Sequence, residues 1–189
     1  MAKRACFLCA FIVTCILEPR VAFPQELTDI HIGTVAEEQD RPLQRPMAKV
    51  RSRDLAIAAV IQEAAARSGT FRGLVDTINA SDGIVYVEEG DCGRAGRACL
   101  VGVTLAGPYR LIWVKVDTRR ADWDLMGSIG HELRHAVEVL GNPRITNTIS
   151  MHFFYEREGR RAPVGFETRA AIQAGNRVRA EVRRVKIRP

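Results

Sequence analysis

The ten most informative residues of the chain read Ser128-Ile129-Gly130-His131-Glu132-Leu133-Arg134-His135-Ala136-Val137. Their apolar spacing and the absence of proline predict a helix. On a helix, His131 and His135 lie one turn apart with about 6 Å of rise between them, so both imidazoles project from one face. Glu132 emerges beside the first histidine. We therefore expect a buried helix with one polar edge.

This polar edge predicts a zinc site. Two imidazole nitrogens one turn apart can bind one tetrahedral Zn²⁺ at ~2.0–2.1 Å. The carboxylate of Glu132 would then reach a water on the metal, accept its proton as the water attacks a carbonyl, and pass that proton to the leaving group. The alternative is an amphipathic helix that places two histidines on one face by accident. The chain has only four histidines, and we favour the zinc site.

Positions His131, Glu132 and His135 resemble the motif shared by the zincin metallopeptidases. The resemblance implies a zinc-dependent enzyme that cleaves bonds in a peptide or protein substrate. A metzincin would need glycine at position 138 and histidine at position 141, where this sequence has Glu138 and Gly141. That branch is therefore excluded.

A gluzincin takes its third zinc ligand, a glutamate, from a later helix, and Glu167 stands at the start of a predicted helix over residues 166–174. The thermolysin-like branch usually has an aspartate four residues after that glutamate, and here the residue is Ala171. The resemblance thus implies Glu167 as the third ligand. It does not assign the residues that orient the ligands through hydrogen bonds. The rival third ligands are Glu138, Glu156, Glu158 and His152.

Two aromatic residues in 151–155 are further candidates for the catalytic site. His152 or Tyr155 could donate a hydrogen bond to the oxyanion that develops during hydrolysis. The alternative is that this segment is an aromatic plug that closes the core.

Helical patterns precede and follow three strand patterns, at residues 84–87, 99–104 and 111–116, which predicts an α+β domain. We expect a small antiparallel or mixed sheet beside an active-site helix and a later ligand helix. Short loops favour an antiparallel meander. Residues 99–104 are the candidate edge strand for pairing with an extended peptide, with 111–116 central in the sheet.

The first residues predict export. Lys3 and Arg4 precede an apolar run at residues 5–17, as in a secretory signal peptide, and this run is too short to anchor the protein across a membrane. We expect a signal peptide at 1–22, a linker or arm at 23–49, and the zincin-like domain at 50–189. In an oxidising compartment Cys92 and Cys99 would form a disulfide, the alternative being two free thiols.

The formal net charge is +6, and residues 177–188 are strongly basic. Val178, Val182 and Val185 recur there at helical spacing, which predicts an amphipathic helix with a packed apolar stripe on one side and a solvated basic face on the other. We therefore expect no nucleic-acid binding.

Two other functions share the same motif. One is a zinc amidase or hydrolase of the cell envelope that does not act on peptides. The other is a non-catalytic binding module that zinc stabilises, although such a module has no use for Glu132 beside its ligands.

Overall fold

The computed structural model describes residues 48–93, 96–162 and 166–184, so the predicted signal peptide and most of the predicted arm lie outside the described residues. In the described part, no helix has both the length and the apolar character needed to cross a membrane. The helices of this part are α1 (Leu55–Arg67), α2 (Gly69–Asn79), α3 (Trp123–Leu140), α4 (Thr148–Glu158) and α5 (Arg169–Arg184). The strands are β1 (Val50–Arg51), β2 (Gly83–Glu89), β3 (Ala98–Ala106), β4 (Tyr109–Val116), β5 (Arg160–Arg161) and β6 (Phe166–Glu167).

The main sheet is mixed, with the order β1-β2-β4-β3. Strands β1, β2 and β4 are parallel, and β3 is antiparallel to β4. The expected antiparallel meander is therefore wrong. The tight turn at Gly107 (φ +59°) joins β3 and β4 as a hairpin, whereas the longer connection after β2 leaves room for β4 between β2 and β3. The expectation that β3 lies at the edge and β4 inside the sheet is confirmed.

Alternate side chains of the parallel strands form the core. Val85 and Val87 of β2 and Ile112 and Val114 of β4 are fully buried. Their neighbours in sequence are half-buried or exposed, as the period-two alternation of a strand requires. The α+β prediction is confirmed in its coarse form.

Helix α3 carries the two histidines of the motif, and we call it the metal helix. Asp122 caps it by accepting hydrogen bonds from the N–H groups of Asp124 and Leu125 at 3.1 and 3.0 Å, and the helix ends at Leu140. Eleven of its residues are buried, so it is an internal element rather than a surface helix.

Helix α5 packs closely against the metal helix because glycines lie at the contact. A methyl group on Gly175 would be 3.0 Å from the carbonyl oxygen of Gly127 and 3.0 Å from Cβ of His131. Val178 and Val182 of α5 are fully buried. This confirms the packed apolar stripe under a basic face, with Val185 outside the described residues.

The region between the metal helix and α5 is more ordered than expected. From the sequence we expect an irregular stretch between Pro143 and Pro163, since it shows no sustained helical spacing. It nevertheless contains α4, which begins with a reciprocal cap between Asn147 and Ser150. Residues 166–174 were predicted to be one helix, but β6 comes first and the helix begins at Arg169. Glu167 therefore lies on a short strand just before α5.

The buried side chain of Arg110 fastens the C-terminal end of the metal helix to the sheet. Its guanidinium forms a bidentate ion pair with Asp82, with Nε–Oδ2 and Nη2–Oδ1 distances of 2.8 and 2.7 Å. It also donates hydrogen bonds to the backbone carbonyls of Val139, Leu140, Asn142 and Ile145.

Candidate metal centre

The metal helix and β6 bring three predicted ligands to one point. The imidazole centroids of His131 and His135 are 4.9 Å apart. Oε2 of Glu167 is 2.8 Å from Nε2 of His131 and 3.6 Å from Nε2 of His135. One ligand atom from each of the three residues lies within 4.8 Å of the others, so the group could hold a metal ion.

The chemistry of this group fits a cation. Oε2 of Glu167 is buried and has no hydrogen-bond partner among the described residues, although Nε2 of His131 lies 2.8 Å away. Burial raises the pKa of Glu167, but the adjacent imidazoles outweigh it and lower the pKa to about 2. A buried carboxylate oxygen that stays ionised and unpartnered is the kind of atom that a metal ion would satisfy.

Glu132 lies beside this group without belonging to it. Its Oε2 accepts a hydrogen bond from the backbone N–H of Leu100 on β3 at 2.8 Å, and its Oε1 is 3.9 Å from Nε2 of His131. Burial raises the pKa of Glu132, although both histidines oppose the shift. No local sequence pattern indicates the contact with β3, because it joins residues 32 positions apart.

Glu138 does not lie where a third ligand would have to be. Its Oε2 is 3.1 Å from Nδ1 of His135, the nitrogen on the opposite side of the ring from Nε2. Glu138 is therefore a hydrogen-bond partner of a predicted ligand and lies outside the group of converging ligand atoms. Burial lowers the pKa of His135, but the carboxylates of Glu138 and Glu167 outweigh it and raise the pKa to about 9.

The other rival ligands all lie on α4. Glu156 and Glu158 are exposed and outside the group of converging atoms. The exposed side chain of His152 lines the cleft beside the metal helix, and its ring packs against Phe166 at 5.5 Å between centroids.

Tyr155 is buried, and its hydroxyl donates a hydrogen bond to the backbone carbonyl of His135 at 2.8 Å. Burial also raises the pKa of this hydroxyl, which keeps it protonated. In this arrangement Tyr155 supports the metal helix. A role for Tyr155 or His152 at an oxyanion stays a prediction.

A cleft of about 280 Å³ opens beside the predicted ligands. One wall is the edge strand β3 at residues 98–101, where a bulge at Val101 interrupts the pairing with β4. The opposite wall is α4, and the apolar side chains of Met151 and Phe166 contribute to the lining. Further along β3, the hydroxyl of Thr148 is hydrogen-bonded to the backbone of Val103.

The expected disulfide between Cys92 and Cys99 is confirmed. It closes the loop that precedes β3, and Cys99 lines the cleft next to Leu100. The bond therefore restrains the end of the edge strand that contacts Glu132.

No protein-family model, curated protein or solved structure matches this chain. The proposals below therefore rest on the residues and geometry of the site.

Proposed function

We propose that this protein is an exported zinc metallopeptidase with a zincin-like site of the gluzincin kind. His131, His135 and Glu167 would hold the metal, and Glu132 would serve as the catalytic base. One observation carries the proposal: three ligand atoms converge within 4.8 Å, with a buried carboxylate beside them that does not belong to the group. Two imidazoles, one carboxylate and an open fourth position form a known donor set of catalytic zinc.

A bound zinc ion would supply Lewis-acid activation of a water molecule and of the substrate carbonyl. Glu132 would accept the water proton on its free carboxylate oxygen while the hydrogen bond from Leu100 holds the other oxygen. It would then give this proton to the departing amine. A raised pKa suits a group that both accepts and releases a proton near neutral pH.

The cleft favours an extended peptide as the substrate. Residues 98–101 of the edge strand line it, and an extended chain can add to a sheet edge through backbone hydrogen bonds. Met151, Phe166 and Val101 would contact a side chain of the substrate, which favours an apolar residue next to the scissile bond. The Cys92–Cys99 disulfide supports export, since such bonds persist in oxidising compartments.

The experiment compares Glu132→Gln with the parent protein and with Glu156→Gln, a control on the exposed face of α4. Zinc content is measured on each purified protein, and hydrolysis is measured on a library of quenched fluorescent peptides. We expect Glu132→Gln to keep its zinc and lose about 10²–10⁴-fold in kcat. The Glu156→Gln control should match the parent protein in both measurements.

Glu167→Ala should lose tightly bound zinc as well as activity. Full hydrolysis by Glu132→Gln would refute the role of the base. A zinc-loaded parent that cleaves cell-wall amides but no peptide would favour the envelope amidase instead.

A further inference from the structure

Glu138 occupies a position that the proposed reaction does not use. Its side chain is only 11% exposed, although it carries a carboxylate. Oε2 is 3.1 Å from Nδ1 of His135, and Oε1 accepts a hydrogen bond from the hydroxyl of Thr168 at 2.8 Å. Nε of Arg134 is 3.5 Å from Oε1 and forms a looser ion pair. Both carboxylate oxygens are thus directed at the two segments that carry the predicted ligands.

We propose that Glu138 is the positioning residue of the metal centre, acting on His135 directly and on Glu167 through Thr168. The inference rests on the proposed metal site and names the residue that sets its geometry before a metal binds.

The contact with His135 fixes the tautomer. An ionised carboxylate only accepts hydrogen bonds, so Nδ1 of His135 must carry a proton to donate to Glu138. In the neutral ring the lone pair then lies on Nε2, the atom that faces Glu167 at 3.6 Å. Without Glu138 a neutral imidazole can adopt either tautomer and can rotate about its side-chain bonds. A carboxylate that accepts a hydrogen bond from the nitrogen of a ligand histidine that does not bind the metal orients the ring. It also makes the other nitrogen a stronger metal ligand.

The contact with Thr168 fixes the other ligand segment. The Thr168 hydroxyl donates to Glu138 and also accepts a hydrogen bond from the N–H of Ala171 at 3.1 Å, in the first turn of α5. Glu167 is the residue immediately before Thr168, so this chain of bonds connects the metal helix to the backbone that carries Glu167. The side chain of Ala171, four residues after Glu167, has no polar atom that could do the same.

The test measures zinc affinity by competition with a chromophoric chelator on the full chain, for the parent protein, Glu138→Ala, Glu138→Gln and Thr168→Val. The control is Arg134→Ala, which removes a contact with the same carboxylate but none with a predicted ligand. We expect Glu138→Ala to weaken zinc binding by about 10–100-fold. Glu138→Gln should lose less, since its amide oxygen still accepts from Nδ1 and the Thr168 hydroxyl can turn to accept from its N–H group.

A second measurement separates positioning from general stability. Long-range ¹H–¹⁵N spectra of the metal-free proteins, recorded at pH values where the rings are neutral, report which nitrogen of His135 is protonated. The parent protein should show the Nδ1–H tautomer, and Glu138→Ala should show a mixture, with circular dichroism verifying the fold. If Glu138→Ala does not fold, Glu138→Gln and Thr168→Val carry the test, with zinc binding weaker than in the parent.

Unchanged zinc affinity in the folded Glu138 variants, with the His135 tautomer also unchanged, would overturn the inference while the proposed function stands. Equal losses in Arg134→Ala and Glu138→Ala would overturn it too, because the effect would then come from the charge cluster rather than from His135. A parent protein that binds no zinc would remove the proposed function itself, which is a different result.

Discussion

Replacing Arg110 by methionine tests how the C-terminal end of the metal helix is held. Methionine keeps an apolar stem of similar length and removes the guanidinium. The substitution breaks the ion pair with Asp82 and takes a charged donor away from each of four backbone carbonyls: those of Val139, Leu140, Asn142 and Ile145.

The magnitude follows from the exposure of the partners. Breaking a buried ion pair by removing one partner costs about 3–5 kcal/mol, largely because the remaining charge is buried. Asp82 is 44% exposed and regains water, which favours the lower end of that range. The carbonyls at Asn142 and Ile145 lie in a short connecting segment and can also rehydrate in part. We expect a loss of about 3 kcal/mol in the free energy of unfolding, equivalent to roughly 10 °C in Tm for a domain of this size.

Denaturant unfolding followed by circular dichroism measures the loss. Arg110→Lys is the matched control, since it keeps the charge but not the planar fork of donors, and we expect it to recover only part of the stability. An independent signal comes from Asp82. The hydrogen bond from Arg110 lowers the pKa of this carboxyl, so the pKa should return towards 3.8 in Arg110→Met. A change in unfolding free energy below about 0.5 kcal/mol, the size of an ordinary surface substitution, would refute the reasoning.

Three further predictions concern other parts of the fold. Gly175→Ala should destabilise the protein by about 1–3 kcal/mol in thermal unfolding and weaken zinc binding, since the added methyl meets the metal helix. Gly73→Ala, which meets nothing within 4 Å on α2, should be neutral or stabilising. Removing the disulfide with Cys92→Ala and Cys99→Ala should cost about 2 kcal/mol in denaturant unfolding. Burial raises the pKa of Glu181, but hydrogen bonds from Ser68 and Thr70 outweigh it and lower the pKa. Its contribution to stability is therefore complete above pH 4.5 and is lost as pH falls further, so Glu181→Gln should reduce the slope of stability against pH in this range.

The features predicted correctly from the sequence depend on local spacing. His131 and His135 lie on one face because four residues make about one helical turn, and this holds wherever the helix packs. The Cys92–Cys99 bond needs only a short loop between two cysteines. The edge position of β3 follows from its hairpin with β4 once β4 lies inside the sheet.

The features that were missed depend on packing between distant segments. No local pattern indicates that β4 pairs in parallel with β2. That pairing depends on the connection between β2 and β3, which places β3 one strand away from β2 and leaves the position between them for β4. Helix α4 was missed because it lacks an apolar stripe: Met151 and Tyr155 are buried, but Ile149 and Phe153 are exposed. From the sequence, Glu138 is a candidate ligand because it lies near His135 on the same helix. Only the structure shows that its carboxylate contacts Nδ1 of His135.

Close packing between α5 and the metal helix links stability to the candidate metal site. Glu167 lies two residues before α5 begins, so its distance from His131 depends on how near the two helices approach. That approach is set where Gly175 meets Gly127 and Cβ of His131 itself. An ion that binds only this folded arrangement stabilises it by mass action. Substitutions that push the helices apart should therefore lose stability and metal affinity together, whereas Glu132→Gln, which leaves this contact intact, should lose neither.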